Sequence, residues 1–383
     1  MTLRLVAANG RVSSTELRAA RDFSRPTSPL KSRVVYAAAH VVPKQWAENV
    51  PGAPADLDWD ATLAFRHHLW SWGLGVADAM DTAQRNMGLD WPATAELIRR
   101  SAAEARSVGG QLVVGVNTDH IIEESISLDE VIAAYLLQLD VAAEAGAEVV
   151  LMASRHLARA ATGPADYERV YREVLARAGS PVVLHWLGDA FDAGLAGYWG
   201  SPEFDGAAAT VLRIIEDNLA KVRGIKMSLL NADYEVSLRS RLPEGATLFT
   251  GDDFNYVQLI EGDATSHSDA LLGAFAAIGP LASVAIRALD QNDVALYRQL
   301  LGPTEKLARQ IFAAPTQYYK TGVAFLSWLN GHQPSFSMVG GLQSARSLPH
   351  LSEIVRLAND SGALERPDLA AARWHDLITL SGL

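Results

Sequence analysis

Apolar residues in this chain fall into short unbroken runs separated by longer amphipathic stretches. The runs are VVYAAA from Val34, GVADAM, QLVVGV, AEVVLMA, PVVLHW, VRGIKMS and ATLFTG. A run without polar alternation is a strand buried on both faces, the kind found in parallel sheets covered by helices. Between the runs, Leu97 to Ala105, Val131 to Ala145 and Tyr167 to Ala178 carry apolar residues at helical spacing. Seven runs and a weaker eighth at DALLGAFAAI predict an α/β fold, a closed (β/α)8 TIM barrel rather than an open sheet. No glycine-rich phosphate loop follows the first run, which counts against a dinucleotide fold.

The pattern divides the chain into three parts. Residues 1–33 hold a predicted N-terminal hairpin, LRLVAANGRVSSTEL, and a polar lead-in with two prolines. Asn9-Gly10 is the pair that a type I′ turn wants. Residues 34–285 are assigned to the barrel and residues 286–383 to a helical C-terminal extension. There LASVAIRAL, DVALYRQLL, TEKLARQIF and LSEIVRLAND are helical in pattern, punctuated by Pro315, Pro334 and Pro349.

Composition narrows the chemistry. The 383 residues suit a barrel of roughly 250 residues plus additions. There are no cysteines, which removes disulfides, thiolate metal sites and a cysteine nucleophile. With no signal-peptide core at the N-terminus, a cytoplasmic location is expected. No apolar run reaches the ~20 residues of a membrane span. A net charge of −11 argues against nucleic acid or an anionic membrane as partner.

In a barrel of this kind the site is built where strands end. The polar residues there are Asp78 and Asp81, Asn117, Asp119 and His120, Arg155 and His156, His185, Lys226 and Ser228, and Asp252 and Asp253. Lys226 follows Val-Arg-Gly-Ile directly, so its ammonium group would lie in or just above an apolar barrel. Burial disfavours the charged form, and a neutral lysine is the nucleophile that forms an imine with a carbonyl. A lysine paired with a strand-end aspartate for structure alone has the same spacing.

The stretch VRGIKMSLLNADYEVSLRSRLPEGATLFTGDD resembles the dihydrodipicolinate synthase/N-acetylneuraminate lyase family of class I aldolases. In that family a strand ending in Gly-Ile-Lys carries the Schiff-base lysine, and Ser/Thr-Gly-Asp-Asp ends the next strand. GAEVVLMAS, SPVVLHW and YYKTGVAFLSWLNGH extend the likeness faintly from Val34 to about Gln343. The resemblance implies Lys226 as the imine-forming lysine, no cofactor beyond that imine, and a homo-oligomer, dimer or tetramer.

The departures bear on substrate. Where the family has Gly-Thr-Thr-Gly-Glu to hold a pyruvate carboxylate, this chain has Met80-Asp81-Thr82-Ala83-Gln84. Where the family has a proton-relaying tyrosine, it has His185, and Asp189 stands where a basic residue is often found. Carboxylates repel a carboxylate and bind hydroxyls. The expectation is therefore a lyase that acts on a small keto compound, a sugar- or cyclitol-derived ketone, by cleavage or dehydration. His185 is the expected acid/base. Asp81, Thr82, Asn117, Asp119, Arg155, His156, Ser228, Gly251, Asp252 and Asp253 are the expected substrate contacts. Arg155 keeps a keto acid open, since it could hold a carboxylate. Two alternatives stand beside this reading. One is a sugar isomerase or hydrolase using a divalent metal held by strand-end Asp and His residues. The other is a silent barrel that binds a metabolite.

Overall fold

The structure is a computed structural model and describes residues 2–383. Two strands, β1 (Thr2–Val6) and β2 (Val12–Glu16), pair antiparallel, with Val6 opposite Val12. The turn is not type I′. Gly10 has φ 78° whereas Asn9 is not in the left-handed region, and the Gly10 N–H donates to the Ala7 carbonyl. That is a three-residue loop with a left-handed glycine at its end, the common alternative when only one residue takes positive φ.

Eight strands follow: β3 (Val35–Ala38), β4 (Gly75–Asp78), β5 (Leu112–Val116), β6 (Glu148–Leu151), β7 (Val182–Leu187), β8 (Val222–Ser228), β9 (Thr247–Thr250) and β10 (Asp269–Leu272). All neighbours are parallel, and β10 pairs with both β9 and β3, which closes the barrel. The weak eighth run splits into β10 and a short helix over Ala274–Ala277. Every apolar run predicted as a strand contains one. Tyr36, Ala38, Val113, Val150, Met152, Val183, Phe249 and Leu271 pack together as one cluster among the strands and fill the interior.

The helices between strands are α1 (Trp59–Ser71), α2 (Trp91–Val108), α3 (Leu128–Ala145), α4 (Arg155–Ala160), α5 (Pro164–Arg177), α6 (Phe204–Asp217), α7 (Ala232–Arg239) and α8 (Tyr256–Glu261). Local chemistry sets their ends. Asp58 caps α1 and Asp90 caps α2, and Ser127 with Glu130 forms a reciprocal capping box on α3. Left-handed Gly109 and Gly146 stop α2 and α3.

After β10 come α9 (Ala274–Ala277), α10 (Gly279–Asp290), α11 (Val294–Ile311), α12 (Tyr319–Leu329), α13 (Leu348–Ser361) and α14 (Pro367–Leu380). DVALYRQLL and TEKLARQIF, separate in the pattern, form the single helix α11 across Pro303. Its buried face of Tyr297, Leu300, Leu301, Thr304, Leu307 and Ala308 runs unbroken past the proline, and tertiary packing outweighs the missing N–H. The N-terminal hairpin docks on this extension. The Val6 N–H donates to Ser352 Oγ at 2.7 Å, and Trp374 Nε1 donates to the Arg4 carbonyl at 2.6 Å. No described helix is long and apolar enough to cross a membrane.

One buried ion pair ties the first helix to the second barrel strand. Arg66 on α1 meets Asp78 of β4 through two bonds of 2.7 and 3.0 Å, and both side chains are fully buried. Arg66 also donates to the carbonyls of His40 and Thr62, and Ser101 Oγ donates to Asp78. Every polar atom here is partnered, so losing one partner strands a buried charge. Arg66→Leu should lower unfolding free energy by about 3–5 kcal/mol, measured by urea denaturation. Arg66→Leu with Asp78→Leu should recover much of that loss. A double variant no more stable than the single one would show that the stranded charge is not the cause.

Candidate active site

The paired register of the strands aims a set of side chains at the C-terminal end of the barrel. His185, Lys226 and Phe249 are register partners across β7, β8 and β9, and Phe249 belongs to the interior cluster. Partners on neighbouring parallel strands face the same side, so Lys226 and His185 point inward too. Gly224, two residues before the lysine, has a structural cause. A Cβ there would lie 2.0 Å from the Thr247 carbonyl oxygen, so only glycine lets β8 lie against β9.

Lys226 sits among carboxylates. Burial drives its pKa down, and the negative charges of Asp81 and Asp253 recover only part of that shift. Asp253 is driven the other way. Burial raises its pKa to about 8, against the stabilising effects of the Ala274 N–H and of Lys226. The two shifts share one cause, loss of water, and favour a neutral amine beside a neutral acid. Lys226 keeps 8 % of its surface exposed. Gly251 makes room for its stem, since a Cβ there would come within 2.8 Å of Lys226 Cε and 2.1 Å of Ser228 Oγ.

The C-terminal extension completes the site from above. Tyr319, first residue of α12, shares a 2.7 Å hydrogen bond with Thr82, and burial holds its hydroxyl protonated with a pKa well above the usual phenol. The charges of Asp81 and Asp253 both bear on it, so it stands with the same carboxylates as Lys226. Lys320 is buried as well. Burial lowers its pKa to about 8, Asp81 and Asp192 oppose that shift, and its amine donates to the Gln317 carbonyl at 3.0 Å. A recess of about 440 Å³ opens above, lined by Asp81, Arg155, Asp189, Asp192, Tyr318 and Lys320. Sequence pattern assigns neither Lys320 nor Asp192 to the site and gives Tyr319 to packing. The available signal was Tyr-Tyr-Lys at a helix start just after Pro315.

A family model described as a protein of unknown function, DUF993, matches residues 3–383. The chain belongs to the DUF993 family. No curated protein matches it in sequence. Among solved structures it is similar to dihydrodipicolinate synthase from Aquifex aeolicus, with TM-score 0.66 and 12% identity over 87% of this chain and 99% of that one. It is similar to dihydrodipicolinate synthase from Bacteroides thetaiotaomicron, with TM-score 0.63 and 16% identity over 84% and 98%. It is also similar to 4-hydroxy-tetrahydrodipicolinate synthase from Methylacidiphilum fumariolicum, with TM-score 0.63 and 16% identity over 90% and 99%. These likenesses establish that this DUF993 chain has the dihydrodipicolinate synthase barrel fold, helical extension included.

Several residues expected to touch substrate are also held by protein partners, while Asn117, Asp119, Arg155 and His156 line a recess together with Asp81. Asp119 accepts bonds from Arg85 and Gln138. Burial alone would raise its pKa, but the guanidinium and the amide bring it below the ordinary value. Three of its roughly four acceptor sites are taken. His156 uses both ring nitrogens, one with Thr118 at 2.7 Å and one with the Glu123 carbonyl at 3.0 Å. Asp252 accepts from the N–H groups of Phe254 and Asn255 and from the Asn255 side chain, and so shapes the loop after β9. Asn117 turns the chain after β5 by accepting from the Thr118 N–H and donating to the Ala153 carbonyl. Tyr198 and Trp199, in the long loop after β7, pack against Tyr167 and Tyr171. Arg155 lies at the recess, with its Nε on Asp192 at 2.6 Å.

His185 stands beside Lys226 on the neighbouring strand. It is fully buried, its Nε2 lies 3.3 Å from Ser228 Oγ, and its Nδ1 has no partner. Burial, helped by the charge of Lys226, pushes its pKa well below the ordinary value. That shift favours the neutral ring. The strand-end metal set lacks geometry too. Among the described residues, no three of Asp81, Asp119, His120, His156, His185 and Asp253 bring ligand atoms within 4.8 Å of one another.

The packing of Gly251 yields a direct test. Gly251→Ala should displace the Lys226 stem and cut its reaction with a small carbonyl reagent by about 100-fold, the scale of a 1 Å misplacement. Peptide mapping after reductive labelling reads the yield at Lys226. Wild-type labelling in a folded Gly251→Ala protein would show that the lysine does not depend on that gap.

Proposed function

We propose that this protein is a lyase of the class I aldolase type, in which Lys226 forms a Schiff base with a small hydroxylated ketone. The observation that carries this reading is the inward-facing, buried Lys226 whose only charged neighbours are carboxylates, one of them shifted toward its neutral form. A neutral amine attacks the carbonyl carbon. The Asp253 carboxyl donates its proton to the carbinolamine oxygen, which leaves as water and gives the imine. The imine then accepts an electron pair from the neighbouring carbon–carbon bond. As that bond breaks, Asp81 takes the proton of the β-hydroxyl group, and an aldehyde and an enamine result. Loss of a β-hydroxyl group as water is the other outcome an imine allows. The Tyr319 hydroxyl, fixed by Thr82, is a neutral donor to substrate oxygen.

The surroundings favour hydroxyl groups over a carboxylate. Asp81 and Asp253 flank the amine, Thr82 is engaged by Tyr319, and Asp192 partly neutralises Arg155. A pyruvate carboxylate beside the imine would meet the carboxylate of Asp81. A polyhydroxylated ketone of the sugar or cyclitol class would find acceptors at Asp81 and donors at Lys320 and Arg155.

Borohydride reduction with dihydroxyacetone, fructose, a keto-inositol and pyruvate tests the chemistry and the substrate class together. The expected result is a stable adduct on Lys226 with the hydroxylated ketones and none in Lys226→Met, read by intact mass and peptide mapping. A pyruvate adduct alone would overturn the substrate assignment, and no adduct with any ketone would overturn the Schiff base. Asp253→Asn should slow adduct formation by about 100-fold or more, the usual worth of a positioned acid.

Asp253 also predicts a pH effect on stability. Its folded pKa lies above the unfolded value, so its contribution is full below about pH 4 and is lost as pH rises through about 8. Asp253→Asn should therefore melt at a higher temperature than wild type above pH 8, and this advantage should vanish near pH 4. Equal melting temperatures at both pH values would show that the carboxyl is not held protonated.

A further inference from the structure

Away from the barrel mouth, three side chains from distant parts of the chain converge on the outer flank. His68 lies in the last turns of α1, His332 in the turn after α12, and Glu365 just before α14. His332 Nε2 is 2.9 Å from Glu365 Oε1, and His68 Nε2 is 3.6 Å from the same oxygen. One ligand atom from each residue lies within 4.8 Å of the other two, the only such trio among the described residues. The two imidazoles lie 4.0 Å apart, centre to centre, with Phe65 against both. We propose that His68, His332 and Glu365 bind a divalent transition-metal ion that fastens the C-terminal extension to the first barrel helix.

Two features favour a cation over a simple hydrogen-bonded cluster. First, both Nε2 atoms lie within 3.6 Å of one carboxylate oxygen, so two nitrogens and an oxygen are gathered in one place. Two imidazoles and a carboxylate suit zinc and its first-row neighbours, and leave at least one position open for water. Second, the segments that carry the ligands are themselves fixed. Asn330 is buried, accepts from the Glu365 N–H at 2.9 Å and donates to the Ala363 carbonyl at 3.0 Å. That amide holds the His332 turn against the Glu365 segment whether or not an ion is bound.

None of the three residues lines the recess above Lys226. The role is structural, a cross-link between α1 and the extension that supplies Tyr319 and Lys320. The adjacent His67 gives an internal control. It lies on the same helix as His68 and pairs with Glu104 of α2 at 2.8 Å, but has no second imidazole.

The test is titration of the chelator-treated full-length protein with zinc chloride, by calorimetry and by thermal melting. One equivalent should bind and raise the melting temperature, because an ion that binds only the folded state stabilises it. Glu365→Gln and His332→Ala should each weaken binding by at least about tenfold, no less than loss of an orienting partner costs. His67→Ala should bind like wild type. Glu365→Gln keeps the side-chain shape, so it decides the matter should His332→Ala fail to fold. Absence of saturable one-equivalent binding, or unchanged affinity in Glu365→Gln, would overturn the site.

Discussion

A closed barrel interior has no water, and each polar group that enters it must find its partner there. That constraint organises this protein. The inward positions are filled by Tyr36, Ala38, Val113, Val150, Met152, Val183, Phe249 and Leu271 up to the level where strands end. Lys226 and His185 then project into the same space. An ammonium ion at that depth is strongly disfavoured unless charge compensates it or the proton leaves. The carboxylates at Asp81 and Asp253, the gap at Gly251 and the lid formed by Tyr319 all meet at this one buried amine.

The framework was legible because it obeys simple periodicities. Unbroken apolar runs mark strands buried on both faces, and each predicted run contains a barrel strand. The position of Lys226 after Gly-Ile could be read for the same reason, since strand parity decides which way a side chain points. The hairpin turn was misread because Asn-Gly is compatible with two loop lengths. Only the pairing of Val6 with Val12 selects the longer one. The continuity of α11 across Pro303 was hidden because the cost of a proline is local, whereas the packing that outweighs it comes from other helices.

The site was less legible than the fold, and the reason is partnership. Asp119, His156 and Asp252 stand at strand ends, as substrate ligands would, but Arg85, Thr118 and Asn255 claim them. Sequence spacing cannot show which polar group already has a partner. Lys320 and Tyr319 were missed for the opposite reason. They come from beyond the barrel, where strand-end logic does not apply, and only folding the extension back brings them to Thr82 and Asp81.

Three buried carboxylates differ in the basic group that stands beside them. Asp78 faces Arg66, Asp119 faces Arg85, and Asp253 faces Lys226. A guanidinium cannot lose its proton in a protein and forms two parallel bonds with a carboxylate, so the first two pairs are fixed charges that brace helix against strand. A lysine can lose its proton. Burial pulls its pKa down and pushes that of Asp253 up until the proton can rest on either partner, and two groups displaced toward each other in this way can act as nucleophile and acid. The same fold therefore braces helix against strand with two aspartate–guanidinium pairs and sets a third aspartate beside a lysine, whose proton, unlike theirs, can leave.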